Sequence, residues 1–416
     1  GDVYKRQLFQ GSSKCFIAFR GGTGDPTMSP TELGGNTMLI GVPTEIKAQE
    51  FRVGMTPAGV RELKTAGHQI LVQSGAGAQI GLTDELYWAA GAVMVDTAGQ
   101  VFDDADMIIK VKEPQPQECR LLKPQQILFT YLHLAADPEQ AASLMNSGAT
   151  CIAYETVTSA KGGLPLLAPM SLVAGRLSVQ AGAHHMEIHQ GGGGALLGGV
   201  PGVAPAKVLV LGGGVVGSSA IRVALGMGAD VTVVDRSVER LGELDEQYRG
   251  QLRTVYSTAE AIERHANDAD LIIGAVLIPG ASAPKLISRD MLGQLKQGAV
   301  MVDVAIDQGG CFETSRPTTH AEPTYLVDGV LHYCVANMPG AVARTSTMAL
   351  TNATLPYIQQ LASGNYRELL SSDPHFAAGL NVFDGRLTHP AVAEALDAPW
   401  TTPDAALSQP MHLKSA

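Results

Sequence analysis

The densest chemistry in this chain is a glycine run set between ordered neighbours. Lys207–Leu211 is an apolar, strand-like stretch that leads into Gly212-Gly213-Gly214-Val215-Val216-Gly217; a helical stretch follows, and a second apolar run from Ala229 ends on Asp235. This is G-x-G-x-x-G in the context that gives the motif meaning, with a strand before it, a helix after it and an acid closing the next strand. Gly212 permits the tight turn, Gly214 lets the backbone approach a pyrophosphate, and Gly217 lets helix and strand pack closely, while the helix start offers free N–H groups and the positive end of its dipole. Asp235 would accept hydrogen bonds from adenosine ribose hydroxyls and repel a 2′-phosphate, so NAD is the expected cofactor; adjacent Arg236 leaves NADP as an alternative. The bland reading is a plain turn in a structural βαβ unit. Two other runs look chemical and are not. No Lys-Ser or Lys-Thr follows Gly191–Gly194, which reads as a hinge and not a phosphate loop. His185 and His189 share a helix face beside His184, but no Glu follows the first and no third ligand is evident, so no metal is expected there.

These residues need a scaffold, and the chain supplies one in alternating pieces. From Met38 the order is an apolar run Leu39–Val42, a helix opened by Thr56-Pro57 and closed by Gly67, then Ile70–Val72, a helix Thr83–Ala90 closed by Gly91, and the runs Met107–Val111 and Ile127–Leu132. A helix at Asp137-Pro138 and the run Cys151–Tyr154 continue it, and a long helical stretch spans about Met170–Gln190. A second series follows Lys207–Leu211 through Val231–Val234, Leu271–Val276, Ala299–Ala305 and Leu331–Val335; Thr345–Ser363 is helical in composition, and the tail from Gly364 shows no strong sheet pattern. Strands separated by helices predict an α/β fold with mainly parallel sheets covered on both faces.

The 416 residues favour two domains, and 45% apolar with 17% charged residues predicts packed cores. Lys plus Arg total 29 against 40 Asp plus Glu, a formal net charge of −11, which offers no footprint for nucleic acid or anionic lipid. No apolar run reaches the length of a membrane span, so no membrane partner is expected. Five dispersed cysteines without a CxxC pair predict a reduced, cytoplasmic protein. Residues 1–37, rich in Gly, Ser, Thr and Pro, read as a leader or remnant outside the fold.

Several strings together carry a resemblance. The first half holds Val42-Pro43-Thr44-Glu45-Ile46-Lys47, Glu50-Phe51-Arg52-Val53, Lys110-Val111-Lys112-Glu113-Pro114 and Thr130-Tyr131-Leu132-His133-Leu134-Ala135. The second holds Gly202-Val203-Ala204-Pro205-Ala206, Val302-Asp303-Val304-Ala305-Ile306-Asp307-Gln308-Gly309-Gly310 and Cys334-Val335-Ala336-Asn337-Met338-Pro339. With the glycine fingerprint, these strings resemble the alanine dehydrogenase family, which includes the NAD-binding subunit of transhydrogenase, over essentially all of Met38 to about Trp400. The resemblance implies a Rossmann NAD-binding domain over residues 166–340 and a substrate domain made of residues 38–165 and 341–416. It implies that Arg52 binds the substrate carboxylate, Lys112 contacts substrate, His133 is the acid/base and Asp307 stands beside the nicotinamide. It assigns NAD contacts to Ser171, Asp235, Arg240, Ser257, Leu277, Arg316 and the Asn337-Met338 turn, and it implies a homohexamer. Some members are thought to bind a metal on the C-terminal helix, but Gln360 and Gly364 are unpersuasive ligands, so no required metal is expected.

The implied reaction is reversible, NAD-linked oxidative deamination of L-alanine to pyruvate and ammonium. It needs an anchored carboxylate, a neutral amine and proton transfer during imine hydrolysis. Arg52 can hold the carboxylate with a planar fork of donors, Lys112 adds charge near the keto oxygen, His133 moves protons and Asp307 orients water or the amine. Taken singly, Arg52 and Lys112 read as solvated surface charges and Asp307 as a turn former before Gly309-Gly310. Two alternatives stand beside this reading: a transhydrogenase-type subunit passing hydride between nucleotides, and a catalytically silent NAD-binding protein.

Overall fold

Apolar runs broken by capped helices leave the backbone one economical solution, parallel strands joined by crossover helices, and the chain adopts it twice. The computed structural model describes residues 37–276 and 283–409. The expected leader, apart from Thr37, lies outside the described residues, and so does Leu277. The strands are β1 (Leu39–Val42), β2 (Gln69–Gln73), β3 (Val93–Val95), β4 (Met107–Ile109), β5 (Ile127–Thr130), β6 (Thr150–Ala153), β7 (Lys207–Leu211), β8 (Asp230–Asp235), β9 (Leu252–Tyr256), β10 (Leu271–Gly274), β11 (Val300–Asp303), β12 (Thr324–Val327), β13 (Val330–Tyr333), β14 (Leu380–Phe383) and β15 (Arg386–Leu387). They form an eight-stranded sheet, ordered β15-β14-β6-β5-β4-β1-β2-β3, and a seven-stranded sheet, ordered β12-β13-β11-β10-β7-β8-β9.

Leaving the antiparallel edges aside, each sheet has its six parallel strands in the order 3-2-1-4-5-6. Strand order therefore reverses between β1 and β4 in one sheet and between β7 and β10 in the other. In such open sheets the loops at the carboxyl ends diverge at the reversal and leave a crevice. Alternate residues of the central strands feed cores on opposite faces: Ile109 and Phe129 enter one cluster, Ile108 and Leu128 another. That is the burial expected of parallel strands covered on both sides.

Helix ends follow local chemistry. Thr56 Oγ1 caps the helix Pro57–Thr65 by accepting from Gly59 N–H at 3.3 Å. The expected long helix is Ala168–His185, with a separate 3-10 turn at Ile188–Gln190. It packs on the helix Val215–Gly226 so closely that a Cβ on Gly175 would lie 2.1 Å from the Val216 carbonyl oxygen. The helix Ala343–Ala362 returns the chain to the first core, burying Leu350, Ile358 and Leu361 there.

The tail departs from the sequence reading. It contributes β14, which pairs antiparallel with β6, and β15, so the first sheet is mixed at that edge. Four residues interrupted by Asn381 show no clear period, which is why composition missed them. Asp384-Gly385, both at positive φ, was the available signal for a tight hairpin, and Asp328-Gly329 plays the same part between β12 and β13. The short edge strands β3 and β9 were likewise not anticipated.

Candidate active site

At the reversal in the seven-stranded sheet, the loops after β7, β8 and β10 enclose a cavity of about 430 Å³. Gly212, Gly214, Asp235, Ser257 and Ser171 all line it, together with Arg236 and Val276. Gly212 has φ +100°, a left-handed conformation in which a Cβ would sit 2.8 Å from the Ala275 carbonyl oxygen. A Cβ on Gly217 would lie 1.8 Å from the Gly212 carbonyl oxygen, so the helix start can press against the turn only because that side chain is missing. A Cβ on Gly214 would meet nothing within 4 Å, because that residue faces open space. Asp235 braces the loop by accepting the N–H groups of Gly213 (2.7 Å) and Ser237 (2.8 Å), and each oxygen keeps a lone pair for another donor. These features fit a dinucleotide: glycine backbone at a helix start, a carboxylate at the end of the next strand and an apolar wall.

Other residues assigned to the cofactor stand elsewhere. Arg240 does not line the cavity; Nε donates to the Gly213 carbonyl at 2.8 Å and Nη2 to Ser218 Oγ at 2.7 Å, and the guanidinium also pairs with Glu243. Arg316 is exposed, with its guanidinium 4.0 Å from the centroid of the Tyr325 ring. Leu277 lies outside the described residues. The Asn337-Met338 turn follows β13, with Asn337 left-handed at φ +66° and its side chain directed at Arg52.

The reversal in the eight-stranded sheet gathers a second set of side chains past the ends of β1, β4 and β5. Arg52 is 2% exposed; Nε and Nη2 bond side-on to the Glu50 carboxylate at 2.6 and 2.5 Å, and Nη2 also donates to Asn337 Oδ1 at 2.6 Å. Burial alone would push the Glu50 carboxyl up, but the hydrogen bonds and charge of Arg52 hold it below the usual carboxylate range. Part of the Arg52 donor fork is therefore engaged within the protein, which only the folded contacts reveal. Lys112 Nζ lies 3.6 Å from Glu113 Oε2, and Lys47 pairs with the other oxygen of Glu113. Burial opposes ionisation of Glu113 as well, yet Lys112, Lys47 and His133 together hold its carboxyl low. Lys112 and Lys47 thus share one carboxylate.

His133 is exposed and left-handed (φ +53°, ψ +35°), an uncommon state for a residue with a Cβ. Glu155, just past β6, holds it there by accepting the His133 N–H at 2.6 Å and that of Leu132 at 3.1 Å. The imidazole stacks on Tyr131, with centroids 5.8 Å apart. Burial raises the pKa of Tyr131, and its hydroxyl is bonded to the Leu166 carbonyl, so the phenol is a platform and not a proton donor to substrate.

Asp307 is exposed on the one-turn helix Ile306–Gln308 after β11, and among the described residues no hydrogen bond joins it to His133. Its loop is held by the fully buried Asp303, which accepts from the N–H groups of Ala305 (3.1 Å) and Cys311 (2.8 Å).

The structure thus sets Arg52, Lys112 and His133 past the carboxyl ends of neighbouring strands of one sheet, and Ser171, Gly212, Gly214, Asp235 and Ser257 around the cavity at the other. Glu50, Glu113, Glu155 and Asp303 went unassigned in the sequence reading. Glu50 left a faint signal, since a residue two before an arginine on extended chain shares its side. No helix among the described residues is long and apolar enough to cross a membrane. Within the same residues no group of three or more His, Cys, Asp or Glu is placed to hold a metal ion.

Comparison with known proteins adds an independent line. The family model for the alanine dehydrogenase/PNT N-terminal domain matches residues 41–174, and that for the alanine dehydrogenase/PNT C-terminal domain matches residues 178–390. An alanine dehydrogenase of Halomonas elongata is 63% identical over 86% of this chain and 96% of its own length. One of Mycobacterium tuberculosis is 53% identical over 89% of this chain and all of its own. A solved L-alanine dehydrogenase superposes with a TM-score of 0.84 at 51% identity, covering 86% of this chain and 99% of the other. A transhydrogenase from Sinorhizobium meliloti gives 0.73 at 26% identity, covering 85% and 99%. With both family models matched in sequence order, and with relatives this similar along nearly their whole lengths, the chain belongs to the alanine dehydrogenase/PNT family.

Proposed function

We propose that this chain catalyses the reversible, NAD-dependent oxidative deamination of L-alanine to pyruvate and ammonium. The observation that carries this reading over the transhydrogenase alternative is the 63% identity to an alanine dehydrogenase along 96% of that relative's length. The placement of Arg52, Lys112 and His133 past the carboxyl ends of β1, β4 and β5 of one sheet supports the chemistry.

Gly212, Gly214, Asp235, Ser257 and Ser171 would hold the cofactor, and with Asp235 at the ribose position NAD is preferred to NADP. NAD, when bound, takes the hydride from the substrate Cα. Every other task falls to the protein. Arg52 and Lys112 neutralise and orient the carboxylate, which fixes Cα. His133 removes a proton from the substrate ammonium, so that the nitrogen lone pair can assist loss of hydride. Water then adds to the resulting imine, and His133 returns protons as ammonia leaves, with Asp307 orienting the reacting groups. Tyr131 stacks on the imidazole and Glu155 holds the His133 backbone throughout.

The division proposed is residues 38–165 with 341–416 as substrate domain and 166–340 as NAD domain. Arg240 and Arg316 support the cofactor side, Arg240 by bracing the Gly213 carbonyl, and the Asn337-Met338 turn meets the cofactor next to Arg52. A homohexamer working in the cytoplasm completes the proposal; sedimentation checks the first, and the free thiols of Cys119, Cys151, Cys311 and Cys334 agree with the second.

The test is NAD reduction with L-alanine, glycine, L-serine and 2-aminobutyrate, followed by NADH oxidation with pyruvate and ammonium. Efficient turnover of L-alanine in both directions is expected. Hydride exchange between nucleotides with no turnover of any amino acid would overturn the proposal in favour of the transhydrogenase reading.

A further inference from the structure

A guanidinium has five N–H donors, one on Nε and two on each Nη. In Arg52 the Nε donor and one Nη2 donor are taken side-on by Glu50, whose side chain is fully buried. The second Nη2 donor goes to Asn337 Oδ1 at 2.6 Å, and Asn337 Nδ2 donates back to Glu50 Oε2 at 3.0 Å. Glu50, Arg52 and Asn337 therefore close a ring, although Asn337 lies 285 residues from Arg52 and follows β13 of the other sheet. Nη1 is placed differently. Its recorded partner is Met170 Sδ at 3.2 Å, a weak acceptor that a carboxylate displaces at little cost.

From this arrangement we propose that Glu50 is a positioning residue that, with Asn337, closes one of the two donor forks of Arg52 and half of the other, so that a substrate carboxylate is received through Nη1 alone and takes its second contact from Lys112. The inference rests on the amino-acid dehydrogenase reading above and deepens it. Arginine in the open binds carboxylates through either of two forks, which differ in where they leave the rest of the substrate. Here the side-on fork is closed by Glu50 and the end-on fork is half closed by Asn337. One donor nitrogen and one lysine then define the carboxylate plane, and Cα follows. The ring also divides the charge. Glu50 balances Arg52, while Lys112 and Lys47 share Glu113. Because the third member of the ring stands on the turn after β13, the setting of Arg52 depends on how the two sheets meet.

The test is steady-state kinetics of Glu50→Gln, with wild type, NAD titration and melting measured in parallel. The amide nitrogen of glutamine would face the Nη2 donors, open the ring and let the guanidinium turn. KM for both L-alanine and pyruvate is expected to rise about tenfold or more, the scale of losing one charge-assisted hydrogen bond, while kcat falls less and NAD binding holds. An unchanged KM, or a lower one, would overturn the proposal; a lower one would mean that Glu50 merely competes with substrate for Arg52. Should Glu50→Gln not fold, Asn337→Gly decides, since glycine keeps the left-handed turn and removes only the amide. That change opens the end-on fork, so pyruvate should inhibit L-alanine oxidation more tightly while kcat drops. No change in either quantity would refute the blocked-edge arrangement. Wild-type turnover of L-alanine separates failure of this inference from failure of the functional reading, because only the latter predicts that the unaltered chain is inactive.

Discussion

Replacing Gly217 by alanine adds one methyl group, and the structure says where that methyl would have to go. Its position is 1.8 Å from the Gly212 carbonyl oxygen, 2.9 Å from the Gly212 carbonyl carbon and 3.3 Å from Val210 Cγ1. The first neighbour is backbone, so it cannot turn aside as a side chain would. To reach even 3.0 Å from that oxygen the helix start and the turn must separate by about 1.2 Å. Overpacking of this kind costs roughly 1–3 kcal/mol of stability. The functional effect is larger, because the same movement withdraws the N–H groups at the helix start from an anion placed at the turn. A charge-assisted hydrogen bond contributes about 1.5–3 kcal/mol, so losing one weakens NAD binding roughly ten- to a hundredfold. Fluorescence titration with NADH, alongside thermal melting, measures both effects. Gly214→Ala is the control, since its methyl would meet no protein atom within 4 Å and so should leave the melting temperature alone. An unchanged melting temperature together with an NADH affinity within twofold of wild type in Gly217→Ala would refute the packing argument.

Three further predictions concern charge and proton transfer. His133→Gln should keep the fold and NADH binding while lowering kcat for L-alanine by about two to four orders of magnitude, and Asp307→Asn should lower it as well; near-normal turnover in His133→Gln would remove that residue from the mechanism. Asp235→Ala should narrow the preference for NAD over NADP, chiefly by weakening NAD, and equal catalytic efficiencies with the two nucleotides in the wild type would contradict the role given to Asp235. Burial opposes the ionised forms of Glu50 and Glu113, but their cationic partners prevail and hold both carboxyls below the ordinary 4.5 in the folded protein. Their contribution to stability is therefore present above that value and lost as pH falls through the lower folded-state values. The melting temperature should drop between about pH 5 and pH 3, and Glu113→Gln should flatten part of that limb; a variant curve parallel to wild type would exclude Glu113 as a contributor.

Much of the scaffold is local information. A run such as Lys207–Leu211 has few conformations that hide its apolar side chains on both faces, and Gly212 with Gly217 permits the one turn that follows, so strand, turn and helix are legible from the residues themselves. Asp235 is legible for the same reason: it closes a strand at a spacing that geometry dictates. The edges were less so, because β14 is short and broken by Asn381, and its place beside β6 is decided by a partner strand more than two hundred residues earlier.

The contrast between Lys110 and Lys112 shows where sequence stops. Both are lysines at alternate positions of one string, equally able on paper to meet a carboxylate. In the fold Lys110 is fully buried between Glu45 at 3.0 Å and Glu118 at 2.8 Å, while Lys112 faces Glu113 in the same cluster as His133. Likewise Asp235 accepts from Gly213 and Ser237 within its own βαβ unit, whereas Arg52 has Glu50 close in the chain but is also held by distant segments. The partners of Arg52 include Asn337 and Met170, brought to it by the meeting of two sheets. Residue types and local spacing determined which elements form and which groups ionise. Tertiary structure alone decided which charges are already spent on one another, because that depends on distances between segments that no local preference encodes.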